Sequence, residues 1–125
     1  IVKRRPPENR DPLPEEIEAY KPYLARQIEI INPPVIATLG RFSMNYFLPE
    51  AKISRDHGKL MKTENYTIYP LYHPAAALRA TSVLQELESD FKKLPAVLEE
   101  LRNADRNATI KKELHKGVPT QASLF

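Results

Sequence analysis

Residues 66–79 read Tyr66-Thr67-Ile68-Tyr69-Pro70-Leu71-Tyr72-His73-Pro74-Ala75-Ala76-Ala77-Leu78-Arg79. Tyr66 to Tyr72 is a short, nearly continuous apolar run, which predicts a buried strand. His73-Pro74 ends it, because Pro74 has no backbone N–H to give to a ladder. Proline also suits the first turn of a helix, so a helical turn is expected over Ala75 to Leu78. A strand that passes straight into a helix is the building step of an α/β fold.

The same step occurs upstream. Val35-Ile36-Ala37-Thr38-Leu39 reads as a buried strand, Gly40 turns the chain, and a short helix is expected from Arg41 to Leu48. Phe42, Tyr46 and Phe47 are its candidate core residues. Ahead of this strand, Ile17, Leu24, Ile28 and Ile31 recur at helical spacing, predicting a helix over Pro14 to Ile31. Pro22 is expected to bend that helix or to mark a late start. Asn32-Pro33-Pro34 ends it. Residues 4–14 hold four prolines and three arginines, the composition of an extended basic loop.

Residues 49–65 read as a loop pivoting on Gly58. Downstream, a long amphipathic helix is expected from Ser82 to about Arg102, with Leu84, Leu87, Phe91, Leu94, Leu98 and Leu101 as its apolar face. Pro95 is expected to kink or split it. Residues 104–119 are polar and basic and read as a flexible tether. The expected organisation is one domain over 1–103 and a basic tail over 104–125. Ile1-Val2-Lys3 is a candidate tail of a third strand. The fold class is α/β with a short parallel sheet, and so few strands make only part of a three-layer α/β/α domain.

Composition narrows the function. The chain has 125 residues, 42% hydrophobic, and a net charge of +3. That charge permits nucleic-acid binding without requiring it. Cysteine is absent, which excludes disulfides, thiolate metal sites and cysteine nucleophiles. The richest apolar stretch, Val35 to Leu39, is far too short to span a bilayer. No signal-peptide pattern opens the chain, so a cytoplasmic protein is the default. A first residue of Ile rather than Met suggests a fragment or a processed product.

Several segments together resemble the family 4 uracil-DNA glycosylases. Lys3-Arg4-Arg5-Pro6-Pro7-Glu8-Asn9-Arg10 is similar to that family's K-C-R-P-P-x-N-R, and Glu16 to Leu24 to its E-I-x-x-C-x-P-Y-L. Leu39-Gly40-Arg41-Phe42 resembles its L-G-R-F turn. His57-Gly58-Lys59 sits where it has a Gly-containing loop. Tyr72 to Arg79 resembles its distal motif. These matches keep the family's order across residues 1–94.

The resemblance implies excision of uracil from DNA, with His73 as the catalytic residue that stabilises the departing base. It also implies DNA contacts by Leu78, as a minor-groove wedge, and by Arg79 on phosphate. Helix dipole and position favour a neutral, donating His73. By pattern alone His73 also reads as a simple strand cap, and Leu78 as core; both readings stay open for Leu78. Arg4, Arg5, Arg10 and Arg41 suit either phosphate contact or a solvated loop. His57 and His115 lack metal-ligand spacing and are expected to be solvated. Glu15, Glu16 and Glu18 read as a helix N-terminal charge run, Tyr20 as packing, and Asn9 as a DNA contact or a turn cap.

Two departures from the family stand out. Its four cysteines hold a 4Fe–4S cluster; two align upstream of Ile1 and two with Arg4 and Tyr20, neither of which replaces a thiolate. No cofactor is expected. The family's G-E-A-P-G segment, which activates the water, and its uracil-reading Asn also align ahead of Ile1. The alternatives are therefore a DNA- or clamp-binding module without catalysis, and a glycosylase for another damaged base. Gln121-Ala122-Ser123-Leu124-Phe125 resembles sliding-clamp-binding peptides, with Gln121, Leu124 and Phe125 as anchors. The expected partners are uracil-containing DNA and a clamp, with no membrane, and the expected state is a monomer.

Overall fold

The structure, a computed structural model, describes residues 1–117. After a 3-10 turn at Pro7–Asn9, the elements run α1 (Pro14–Ile31), β1 (Ile36–Leu39), α2 (Arg41–Phe47), α3 (Ile53–Asp56), β2 (Met61–Lys62), β3 (Thr67–Leu71), α4 (Pro74–Ala77) and α5 (Thr81–Gly117).

The start of α1 is built from charge. The Glu16 carboxylate accepts the Leu13 backbone N–H at 3.0 Å, satisfying one of the donors a helix start leaves free. The Arg10 guanidinium closes on the same carboxylate at 2.5 and 3.0 Å. Arg10 first, then the Leu13 N–H, hold the Glu16 carboxyl at about 2 instead of its ordinary 4.5. A carboxylate with a lowered native pKa adds stability above its unfolded value and loses it as pH falls. The contribution is thus complete above 4.5 and gone once pH has dropped through about 2. Both side chains meet solvent, so salt screens the pair. NMR titration of the Glu16 carboxyl is expected to show the low midpoint, and Arg10→Ala to move it back up.

The helix then runs through Pro22 without interruption. The carbonyl that proline leaves without a donor belongs to Glu18, which is exposed to water. Asn32 ends α1 in the left-handed region at φ 46°, with its N–H on the Ile28 carbonyl at 2.7 Å.

The sheet order is β1-β3-β2. β1 and β3 are parallel, with Ile36 beside Ile68 and Leu39 beside Leu71. β2 is antiparallel to β3, so the sheet is mixed and not the wholly parallel one expected. β2 and α3 both come from the segment read as loop. Ile1-Val2-Lys3 forms no strand. β3 is buried almost throughout, and Tyr69 and Leu71 meet Ala77 and Leu87 in the main core cluster. Val83, Leu94 and Val97 of α5 pack against it. In α2 the buried residue is Met44 at 1% exposure, while Phe42 remains 40% exposed. Thr38 is buried with no partner for its hydroxyl among the described residues, and the residue beside it in the ladder is Pro70, which has no N–H.

α5 departs from expectation in three ways. It continues through Pro95, whose lost hydrogen bond falls on the exposed Phe91 side. Leu84 and Phe91 face solvent, because the buried face is turned toward Val83, Leu87 and Asp90. Residues 104–117 are helical, not an irregular tether. Adding a residue to an existing helix needs no new nucleus, and 96–116 contains neither Gly nor Pro to stop it. From Arg102 onward every described residue is exposed.

Candidate active site at the ends of the parallel strands

Open α/β sheets place ligands beyond the carboxyl ends of their strands. Here β1 ends into Gly40 and β3 into Tyr72-His73, side by side. The Gly40 N–H donates to the Leu71 carbonyl at 2.9 Å, extending the ladder by one bond. Gly40 has φ +84°, and a Cβ on it would stand 3.1 Å from the His73 Cβ. Only glycine satisfies both conditions without strain. A cleft of about 570 Å³ opens at this point, lined by His73, Tyr72, Gly40, Arg41, Arg79 and Asp11 among others.

His73 is exposed in the cleft and caps α4. Its Nδ1 accepts the Ala75 backbone N–H at 3.0 Å. A ring nitrogen that accepts carries no proton, so the ring's N–H sits on Nε2. The capping role and the catalytic one are therefore compatible. The cap fixes the tautomer and leaves one donor free.

The other expected site residues divide. Arg79 and Arg41 line the same cleft as His73. Arg41 is engaged there, reaching Asp11 at 3.1 Å and lying 4.9 Å over the Phe42 ring. Arg10 is not in the cleft and serves Glu16. Leu78 is 89% exposed and takes no part in the core of the described residues. Leu78→Ala is expected to change unfolding free energy by less than about 0.5 kcal/mol, as for an ordinary surface site. Gln121, Leu124 and Phe125 lie outside the described residues. His115 is exposed as expected.

His57 corrects its expectation. It is only 18% exposed, and its Nδ1 stands 2.6 Å from the carboxylate of Asp90, itself 4% exposed. Its ring lies 4.6 Å from that of Tyr72. Burial, then the Glu86 carboxylate, push the Tyr72 phenol up. Gly40, Tyr72 and Asp11 were also missed as site residues. Gly40 alone carried a local signal, as a glycine directly after a strand.

The residues present do not fit the cluster that the resemblance implies. Arg4 is exposed, and Tyr20 packs 6.3 Å from Tyr23. A guanidinium repels the metal charge, and a neutral phenol is no substitute for a thiolate.

Comparison with known proteins agrees with the geometry. The family model described as Uracil DNA glycosylase superfamily matches residues 1–102. The Type-4 uracil-DNA glycosylase of Sulfurisphaera tokodaii is 45% identical over 103 residues, 75% of this chain and 47% of that protein. That of Archaeoglobus fulgidus is 44% identical over 103 residues, 75% of this chain and 52% of that protein. A DNA polymerase of Bacillus phage SP01 is 32% identical over 99 residues, 79% of this chain but 11% of the polymerase. The chain spans about half the length of the type-4 relatives it matches. The family match takes in the whole cleft and stops where α5 leaves the body. The chain belongs to the uracil DNA glycosylase superfamily, and within it resembles the type-4 enzymes.

Proposed function

We propose that the protein carrying this chain removes uracil from DNA by hydrolysing the N-glycosidic bond, as the first step of base excision repair. The observation that carries the reading is His73, held at the cleft with Nδ1 as acceptor and Nε2 as free donor. A base must leave the stack before its glycosidic bond can be reached. The bond breaks with oxocarbenium character on the sugar, and the departing uracil takes up negative charge. A preset donor at that charge stabilises the transition state. Arg79 and Arg41 supply positive charge for phosphates at the same cleft, and the exposed Leu78 is the wedge.

The resemblance assigns water activation and base reading to segments that align ahead of Ile1. The reading uses no iron–sulfur cluster, on the donor chemistry of Arg4 and Tyr20. It includes a cytoplasmic monomer. No described helix is long and apolar enough to cross a membrane. The resemblance of residues 121–125 to a clamp-binding peptide supports a sliding clamp as partner. Unchanged clamp affinity after deletion of 120–125 would remove that partner.

The test is excision of uracil from a labelled single-stranded oligonucleotide, by this chain and by a form extended upstream. Activity in the extended form supports the reading. Retained DNA binding with no excision by either form favours a binding module. Release of a different damaged base favours a glycosylase of other specificity.

A further inference from the structure

His57 and Asp90 lie 33 residues apart and meet as a pair largely shut off from solvent. The pair is anchored from three sides. The Asp90 backbone carbonyl accepts the buried Tyr69 hydroxyl at 2.9 Å, tying α5 to β3. The Gly58 N–H donates to the Pro70 carbonyl at 2.8 Å, tying the loop to the same strand. Gly58 passes so close to Asp90 that a Cβ on it would stand 2.1 Å from Oδ1. What the pair holds in place is the His57 ring, packed on Tyr72 at 4.6 Å with a 39° tilt. Tyr72 is the last residue before His73.

We infer that His57, gripped by Asp90, is a positioning residue for His73, acting through the ring of Tyr72. The inference rests on the proposed role of His73. Gly40 bounds His73 from the β1 side, and the Tyr72 ring bounds the strand end from the α5 side. The first contact is backbone and cannot move independently. Behind the second stands the His57–Asp90 side-chain pair, and neither member lines the cleft, so the pair can be changed without altering a lining residue.

The test uses the extended form and the chain as given, with His57→Ala as the main variant. Excision by His57→Ala is expected to fall in kcat by about tenfold or more, with KM little changed, as for a small misplacement of a reacting group. The ring signals of His73 in NMR are expected to shift. The double variant His57→Phe/Asp90→Asn keeps a ring on Tyr72 and removes the buried charge that would otherwise be left with Lys93 alone, at 3.9 Å. It is expected to keep kcat within about threefold of the unsubstituted protein, and it decides the matter if His57→Ala does not fold. A lowered Tm with unchanged kcat and unmoved His73 signals in His57→Ala would overturn the inference, leaving a structural pair only. A large loss of kcat in the double variant would overturn it too. If the unsubstituted protein excises no uracil, that reading falls alone. The His73 signals in His57→Ala then decide the positioning role, and unmoved signals end it.

Discussion

His73→Ala is expected to lower uracil excision by about 10²- to 10³-fold, the usual consequence of removing one preset donor from a charge that develops in the transition state. The expectation follows from the cap. The Ala75 N–H occupies Nδ1, so the ring neither turns over nor presents an acceptor to the cleft. All the hydrogen-bonding capacity it offers a ligand is the Nε2–H. Alanine removes that donor and the α4 cap together, yet α4 is only four residues long and its buried residue, Ala77, is held by the core cluster. The folded state should therefore survive, and DNA affinity should change little. His73→Asn separates the two roles. Asn is a good N-cap, so it restores the start of α4 without an imidazole donor at that reach. Activity at the unsubstituted level in His73→Asn would show that His73 acts as a cap alone.

The second large effect is on stability. Gly58→Ala is expected to cost about 2–4 kcal/mol, combining a left-handed backbone with overpacking of a filled site. Gly58 sits at φ +69°, and the added methyl would fall 2.1 Å from the Asp90 Oδ1 and 2.6 Å from its Cγ. The obstacle does not yield easily, because the same carboxylate is fixed by His57. Gly117→Ala is the control, since a Cβ there meets nothing within 4 Å among the described residues. Denaturant unfolding of the two variants should show a clear shift in midpoint for the first and almost none for the second. Adding Asp90→Ala to Gly58→Ala removes the obstructing oxygen. The two changes should then be less than additive, as expected for groups in contact.

These two positions show what the sequence discloses and what it withholds. His73 was legible because its surroundings are local. An apolar run, then a histidine, then a proline, specify a strand end and a helix start within a few residues, and the structure has both. α1 was legible for the same reason, down to Pro14 and Ile31. The His57–Asp90 pair was not, because no local pattern joins two residues 33 apart. An isolated histidine in a polar loop looks solvated until the fold brings a carboxylate to it. Met44 was passed over for Phe42 because a helix of seven residues shows too little periodicity to choose a face. β2 has only two residues and takes its conformation from β3. The end of α5 misled for a different reason. Low apolar content was read as lack of structure, whereas helix propagation needs compatible residues and not a core.

That last element has a mechanical consequence. From residue 103 to 117, α5 extends about 22 Å at the helical rise of about 1.5 Å per residue. A random coil of the same length would let its end wander over a comparable distance in any direction. The helix instead assigns its far end a compass bearing relative to the cleft. Deleting a single residue between 103 and 117 would turn that end about the helix axis by about 100° while shortening the reach by only about 1.5 Å. Removing seven would nearly restore the heading at a shorter range. The Gly117 end of α5 thus carries an angular phase set by residue count, like a hand on a dial.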